Sequence, residues 1–293
     1  MKVMEVTRIA KNGVHEKTRF YVSDRAKPRT DLRKKSSPRK QEANRNHAVV
    51  SLARVLNNNF DSNAYLITLA YDEDNLNDLL QSLPEAEDRH AVVLAALDKD
   101  ARNFIRRLRR AGATSLEYVF VSSDLDGHTK NDERPHIHMV VSSMSLGNAD
   151  NKLFVGAKNI TKIWGKAKIV AFRHLDNGDY TSLASYLLAQ IRELSYRKSY
   201  ICSQNLERII PEEYITDQKP GQPFELPAGA TILDQQQGGS EGEPVLWRYI
   251  RYMSSTTSLG EENWHTSSAG RQAHVQNNSC FREHHRGRQN RQK

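Results

Sequence analysis

The sequence predicts an α+β fold, an antiparallel sheet with helices packed on one face. Two observations carry this expectation. Strand-like apolar runs lie near residues 65 to 70, 117 to 123, 137 to 142 and 167 to 172, with Thr18 to Val22 as a further candidate. Two other segments, near 90 to 111 and 181 to 194, carry apolar residues at helical spacing.

Taken in order, Tyr65 to Asp72 reads as a buried strand running into an acidic turn. The stretch from Asp98 to Gly112 places Ala101, Phe104, Ile105 and Leu108 on one helical face and ends on a glycine. Its opposite face carries Arg102, Arg106, Arg109 and Arg110, a surface that suits phosphates and equally an ordinary solvated helix. Ile163 to Phe172 reads as a turn and a strand. Tyr180 to Ile191 reads as a helix whose core stripe is Leu183, Leu187, Ile191 and Leu194, with Tyr186 beside that stripe. A tyrosine there is usually a packing residue.

The chemistry-bearing motif is Arg134-Pro135-His136-Ile137-His138, leading into Met139-Val140-Val141. Alternate side chains of a strand share a face, so His136 and His138 point the same way and can grip one cation. Asp124 follows the apolar run Leu116 to Val121, where an antiparallel hairpin partner can bring a carboxylate beside the imidazoles; Asp126 is the second choice. The result is an N,N,O site with positions left for a substrate oxygen. The same pattern suits a solvated face or hydrogen-bonded edge histidines. Histidine-triad hydrolases also alternate histidines, but the next position here is Val140, which removes their nucleophile.

The 293-residue chain carries 43 Lys+Arg against 35 Asp+Glu, a formal net charge of +8, and its pI is about 9.4. Such an excess favours a polyanionic partner through counterion release. The basic residues cluster at the ends, from Arg25 to Lys40 and from Arg282 to Lys293, which reads as flexible arms. Residues 1–49 are therefore expected to be a basic extension, 50–210 the folded domain, and 211–293 a partly disordered extension with a basic tail. In the last of these, Val245 to Met253 looks able to pack as one appended helix. Two cysteines, Cys202 and Cys280, make no disulfide framework. The longest apolar run, Ala91 to Leu97, is too short to cross a bilayer, and no signal-peptide core opens the chain. These features lead to the expectation of a soluble, cytoplasmic protein with no membrane partner.

The ordered series Thr68-Leu69-Ala70-Tyr71-Asp72, Phe104 to Arg109, Arg134 to His138, Trp164-Gly165, Tyr186, and Tyr200-Ile201-Cys202-Ser203-Gln204-Asn205-Leu206 resembles the HUH endonuclease superfamily. Within it, the chain is most similar to the rolling-circle replication initiators of bacteriophages, plasmids and related mobile elements. The resemblance covers about residues 60 to 210. It implies that the His pair lies on a central strand with the tyrosine helix across it. It further implies a Mg²⁺ or Mn²⁺ ion on His136, His138 and Asp124, and Tyr186 as the nucleophile that nicks single-stranded DNA. The products would be a 5′-phosphotyrosine and a free 3′-hydroxyl that primes replication. Nucleic-acid contacts are expected at Arg102, Arg106, Arg109, Arg110, Arg134, Lys166 and Lys168. The expected partners are single-stranded DNA or an origin hairpin, with a host helicase or polymerase. Two positions depart from the family pattern: Ala189 stands where a lysine usually follows the tyrosine, and Asp124 where a glutamate is usual. Tyr196 and Tyr200 are rival nucleophiles. A DNA-binding protein of the same fold without nicking activity, and a relaxase or transposase of the superfamily, are the alternative functions.

Overall fold

The computed structural model describes residues 1–22, 38–125, 133–147, 152–189, 199–239 and 244–254, without the side chains of residues 38–40, 124, 125 and 133. The chain opens with a hairpin, β1 (Val3–Ile9) and β2 (Val14–Tyr21), followed by α1 (Pro38–Asn59), β3 (Tyr65–Leu69), α2 (Glu73–Ser82) and α3 (Arg89–Arg110). A long hairpin, β4 (Tyr118–Leu125) and β5 (Glu133–Val141), comes next, then the short pair β6 (Leu146–Gly147) and β7 (Lys152–Leu153). α4 (Ala157–Trp164), β8 (Ala171–His174), α5 (Thr181–Ala189) and β9 (Ile201–Cys202) complete the central region, and β10 (Glu212–Thr216), β11 (Thr231–Gly238) and β12 (Trp247–Met253) close it.

Helix boundaries follow local chemistry. Asp72 caps α2 by accepting from the backbone N–H of Asn75 at 3.0 Å, and Asp88 caps α3 through the N–H of Ala91 at 2.9 Å. α3 stops at Gly112, whose φ of +120° suits glycine and whose Cα passes close to the Gly147 backbone. Along α3, Val93, Leu94, Leu97, Ala101, Phe104, Ile105 and Leu108 are buried at helical spacing.

The central sheet runs β8-β3-β5-β4-β9, all antiparallel, so the His-bearing strand β5 sits in the middle. Strand alternation divides its side chains between two cores. Ile67, Leu69, Phe120, Ile137, Met139 and Val141 meet α3 and the Trp164 end of α4 on one face. Leu66, Val119, Val121 and Val140 meet Leu52 and Leu56 of α1 and Ala184, Leu187 and Leu188 of α5 on the other. The α+β class with antiparallel sheets and five helices among the described residues is therefore present. The placement of the helices is not as expected: they cover both faces of the sheet. The reason is α1, whose apolar stripe at Leu52, Ala53 and Leu56 forms, with α5, the second layer.

The flanking segments also differ from the expectation of extensions. β1 and β2 join β10, β11 and β12 in a second five-stranded antiparallel sheet, ordered β10-β1-β2-β12-β11. Within it Arg19 turns inward and finds an acid: it donates to Glu5 at 2.6 Å, both buried, and Glu5 also accepts from the Tyr214 hydroxyl. Residues 247–253 form a strand where a helix was expected, because Ile250 and Tyr252 bury by pairing β12 between β2 and β11. The strand expected at 167 to 172 begins only at Ala171, since α4 runs to Trp164 and its cap Gly165 adopts a φ of +69°. The basic tracts Arg25 to Lys35 and Arg282 to Lys293 lie outside the described residues. No helix among the described residues is long and apolar enough to cross a membrane.

Candidate active site

His136 and His138 occupy alternate positions of β5 and so share the sheet face covered by α1 and α5. Pro135, which lacks an N–H, sits where the β4–β5 register shifts between Ser123 and Leu125, just before the first histidine. The two Nε2 atoms converge to 3.2 Å, with the rings edge-on at 83°. Each remaining ring nitrogen is held from behind. His136 Nδ1 lies 2.7 Å from the Arg134 carbonyl, to which it donates, and His138 Nδ1 lies 3.0 Å from the Thr68 hydroxyl oxygen on β3. Thr68 reaches it because β3 pairs with β5 at the register Thr68↔His138.

Tyr186 comes to the same point from α5. Its hydroxyl is 3.4 Å from His138 Nε2, and its ring makes an edge contact with the imidazole at 5.2 Å. Tyr186 is 48% exposed whereas His138 is 4% exposed, so the hydroxyl stands at the boundary between solvent and the buried histidine. Burial, and secondarily the neighbouring His136, push the His138 pKa down to about 3. Its imidazole is thus neutral at physiological pH, the form that donates a lone pair to a cation.

This donor set fits a divalent ion. Metal–nitrogen bonds of about 2.0–2.1 Å put neighbouring ligand atoms about 2.8–3.4 Å apart for angles between 90° and the tetrahedral value. The observed Nε2···Nε2 distance falls inside that interval. Outer hydrogen bonds on the far ring nitrogens are the usual device for presenting the near ones. Among the described residues no third His, Cys, Asp or Glu completes the pair. The backbone of Asp124 lies at the β4 register shift, next to the position paired with His136, but its side chain is outside the described residues, as is all of Asp126.

The other expected residues are dispersed. Arg102, Arg106, Arg109 and Arg110 are exposed, but on α3, which covers the face opposite the histidines; the sheet separates them from Tyr186. Arg106 donates to Asn103 and Arg109 lies over the Tyr118 ring at 5.9 Å. Lys166 is held in an ion pair: its Nζ is 2.6 Å from Asp100 Oδ2, a carboxylate that also accepts from the Tyr71 hydroxyl at 2.8 Å. The pair has a physical cause, since Asp100 is nearly buried and requires a cation. Lys168 is exposed on that same side, near Asp72, while Arg134 is exposed beside the histidines. Of the rival tyrosines, Tyr200 has its hydroxyl 3.1 Å from Ser51 of α1, and Tyr196 lies outside the described residues.

Two contributors escaped the sequence reading. Thr68 left one signal, a hydroxyl inside an otherwise apolar strand. Arg45 of α1 left none; it donates to the Leu188 carbonyl at 3.4 Å, bringing a cation to the end of α5 beside Ala189.

No family model matches the chain, and no curated protein or solved structure matches it.

Proposed function

We propose that this chain is a metal-dependent nicking enzyme for single-stranded DNA, a replication initiator of the HUH endonuclease kind, with Tyr186 as its nucleophile. The observation that carries the reading is the convergence of three groups on one sheet face: two Nε2 atoms 3.2 Å apart and a tyrosine hydroxyl 3.4 Å from one of them. His136 and His138 would hold a Mg²⁺ or Mn²⁺ ion, with Asp124 as the proposed third ligand. When bound, the cation would neutralise charge on the scissile phosphate and favour the phenolate form of a tyrosine whose free pKa is about 10.

The protein's own groups do the rest. Thr68 and the Arg134 carbonyl orient the imidazoles so that both Nε2 atoms converge on the position where the cation would bind. Tyr186, half-exposed, releases its proton to water, and its oxygen attacks phosphorus. The Oη–P bond forms as the P–O3′ bond breaks; the departing 3′ oxygen takes a proton and becomes the free 3′-hydroxyl, while the 5′ side stays on the enzyme. Attack by that hydroxyl on the phosphotyrosine reverses the step and religates the strand. Exposed Arg134 is placed to meet the strand beside the histidines, whereas the α3 arginines can engage only DNA that reaches the opposite face.

A second reading, a DNA-binding protein that does not nick, is favoured by Ala189, which supplies no charge one turn beyond Tyr186. A cleavage assay separates the two. Wild type, incubated with Mn²⁺ and a pool of single-stranded oligonucleotides, is expected to cut, and His136→Ala and His138→Ala are expected to bind DNA without cutting. DNA binding with bound Mn²⁺ and no cleavage of any sequence would establish the second reading.

A further inference from the structure

The helix that carries Tyr186 begins at a part-buried polar junction fed by three distant parts of the chain. Asp179 Oδ1 accepts from the N–H and the hydroxyl of Thr181, the first residue of α5, at 3.3 and 2.9 Å. The same oxygen accepts from Asn57 Nδ2 of α1 at 2.9 Å. Asn57 Oδ1 in turn accepts from the Tyr180 N–H at 2.8 Å and from Asn12 Nδ2, in the β1–β2 turn, at 3.0 Å. Asn12 also donates to the Gly178 carbonyl at 2.8 Å. The second carboxylate oxygen of Asp179 faces Arg251 of β12 at 3.5 Å, with the two side chains 14% and 8% exposed.

This junction differs from an ordinary contact between two sheets. A second ion pair, Arg54–Glu16 at 2.6 Å, joins α1 to β2 without involving the residues that lead into α5. Asp179, by contrast, holds the first residue of the nucleophile's own helix, and Tyr186 stands only five positions beyond Thr181. α5 is short, nine residues, and buries only Ala184, Leu187 and Leu188, so its anchored start contributes much of what locates it. The histidines are fixed separately, by the central strand. The 3.4 Å approach of Tyr186 to His138 therefore depends on how α5 is seated.

We propose that Asp179 and Arg251 are positioning residues for Tyr186, so that the sheet made from both flanks of the chain sets the placement of the candidate nucleophile. The proposal rests on the reading of Tyr186 given above. It explains why the terminal strands belong to the working unit.

The full chain with 3-fluorotyrosine at position 186 tests it. Fluorine NMR reports the ring's placement, and single-turnover cleavage with Mn²⁺ reports the chemistry. Arg251→Met is expected to move or broaden the fluorine resonance and slow cleavage about a hundredfold, the effect of a displacement near 1 Å, with DNA affinity unchanged. Arg251→Lys should restore most of both. Asp179→Asn, a gentler change that keeps an accepting oxygen for Thr181, should act in the same direction as Arg251→Met. Arg54→Met breaks the other ion pair and should leave resonance and rate as in wild type. A wild-type resonance and rate in both Arg251→Met and Asp179→Asn would overturn the proposal, as would an equal disturbance by Arg54→Met. A resonance that responds to Arg251 in a protein that cleaves nothing would support the positioning role while removing the nicking reading.

Discussion

Replacing His138 with glutamine should make the protein less sensitive to mild acid, by an amount that its burial sets. The imidazole is 4% exposed, and burial followed by the proximity of His136 pushes its pKa down to about 3. In the unfolded chain a histidine titrates near 6.5. Between those values the unfolded chain binds a proton that the folded protein refuses. Stability from this group is therefore complete above about pH 6.5 and falls as the pH drops towards 3, by roughly 1.4 kcal/mol per pH unit. From pH 7.5 to 5.5 the loss amounts to about 1.4 kcal/mol, about 1.0 of it incurred below 6.5. Urea unfolding at the two pH values, with a chelator present, measures it. His138→Gln should lose about 1.4 kcal/mol less than wild type across that interval. Equal losses in the two proteins would mean that His138 is protonated in the folded state, which would refute the description of a buried neutral ligand.

Three further outcomes follow from the geometry. Thr68→Val keeps the shape but removes the hydroxyl behind His138, so Mn²⁺ affinity measured by calorimetry should fall about 10–100-fold, and Thr68→Ser should recover most of it. Lys166→Met leaves nearly buried Asp100 without its cation and should cost about 2–4 kcal/mol in urea unfolding, while DNA affinity by fluorescence anisotropy stays unchanged. The double change Arg102→Gln, Arg106→Gln should reduce the salt slope of single-stranded DNA binding by about 1.4 if both side chains meet phosphates; an unchanged slope would identify the outer face of α3 as merely solvated.

The part of the site that local pattern governs was legible in the sequence. Two-residue alternation alone puts His136 and His138 on one face, and helical periodicity alone puts Tyr186 at the edge of an apolar stripe. The Thr68 hydrogen bond was not legible, because it depends on the register between β3 and β5, a pairing across 70 residues. The second sheet was hidden for a related reason. Glu5, Glu16, Arg19 and Arg251 interrupt the apolar pattern of their strands, and each is nonetheless buried because a partner neutralises it, across the β1–β2 hairpin for Glu5 and Arg19 and from a distant segment for Glu16 and Arg251. Such a pattern marks no sheet locally; the pairing of β1 with β10 and of β2 with β12 makes it one. The helix layer on the second face was missed because α1 presents a polar first half, Gln41 to His47, before its apolar stripe begins.

The central claim is that Tyr186 attacks DNA. Its most direct measurement is mass spectrometry of peptides from protein incubated with Mn²⁺ and a cleavable single strand. The account predicts a phosphonucleotide on the peptide containing Tyr186, absent in Tyr186→Phe, which should still bind DNA. An adduct on Tyr200 or Tyr196, or strand cleavage that persists in Tyr186→Phe, would contradict it.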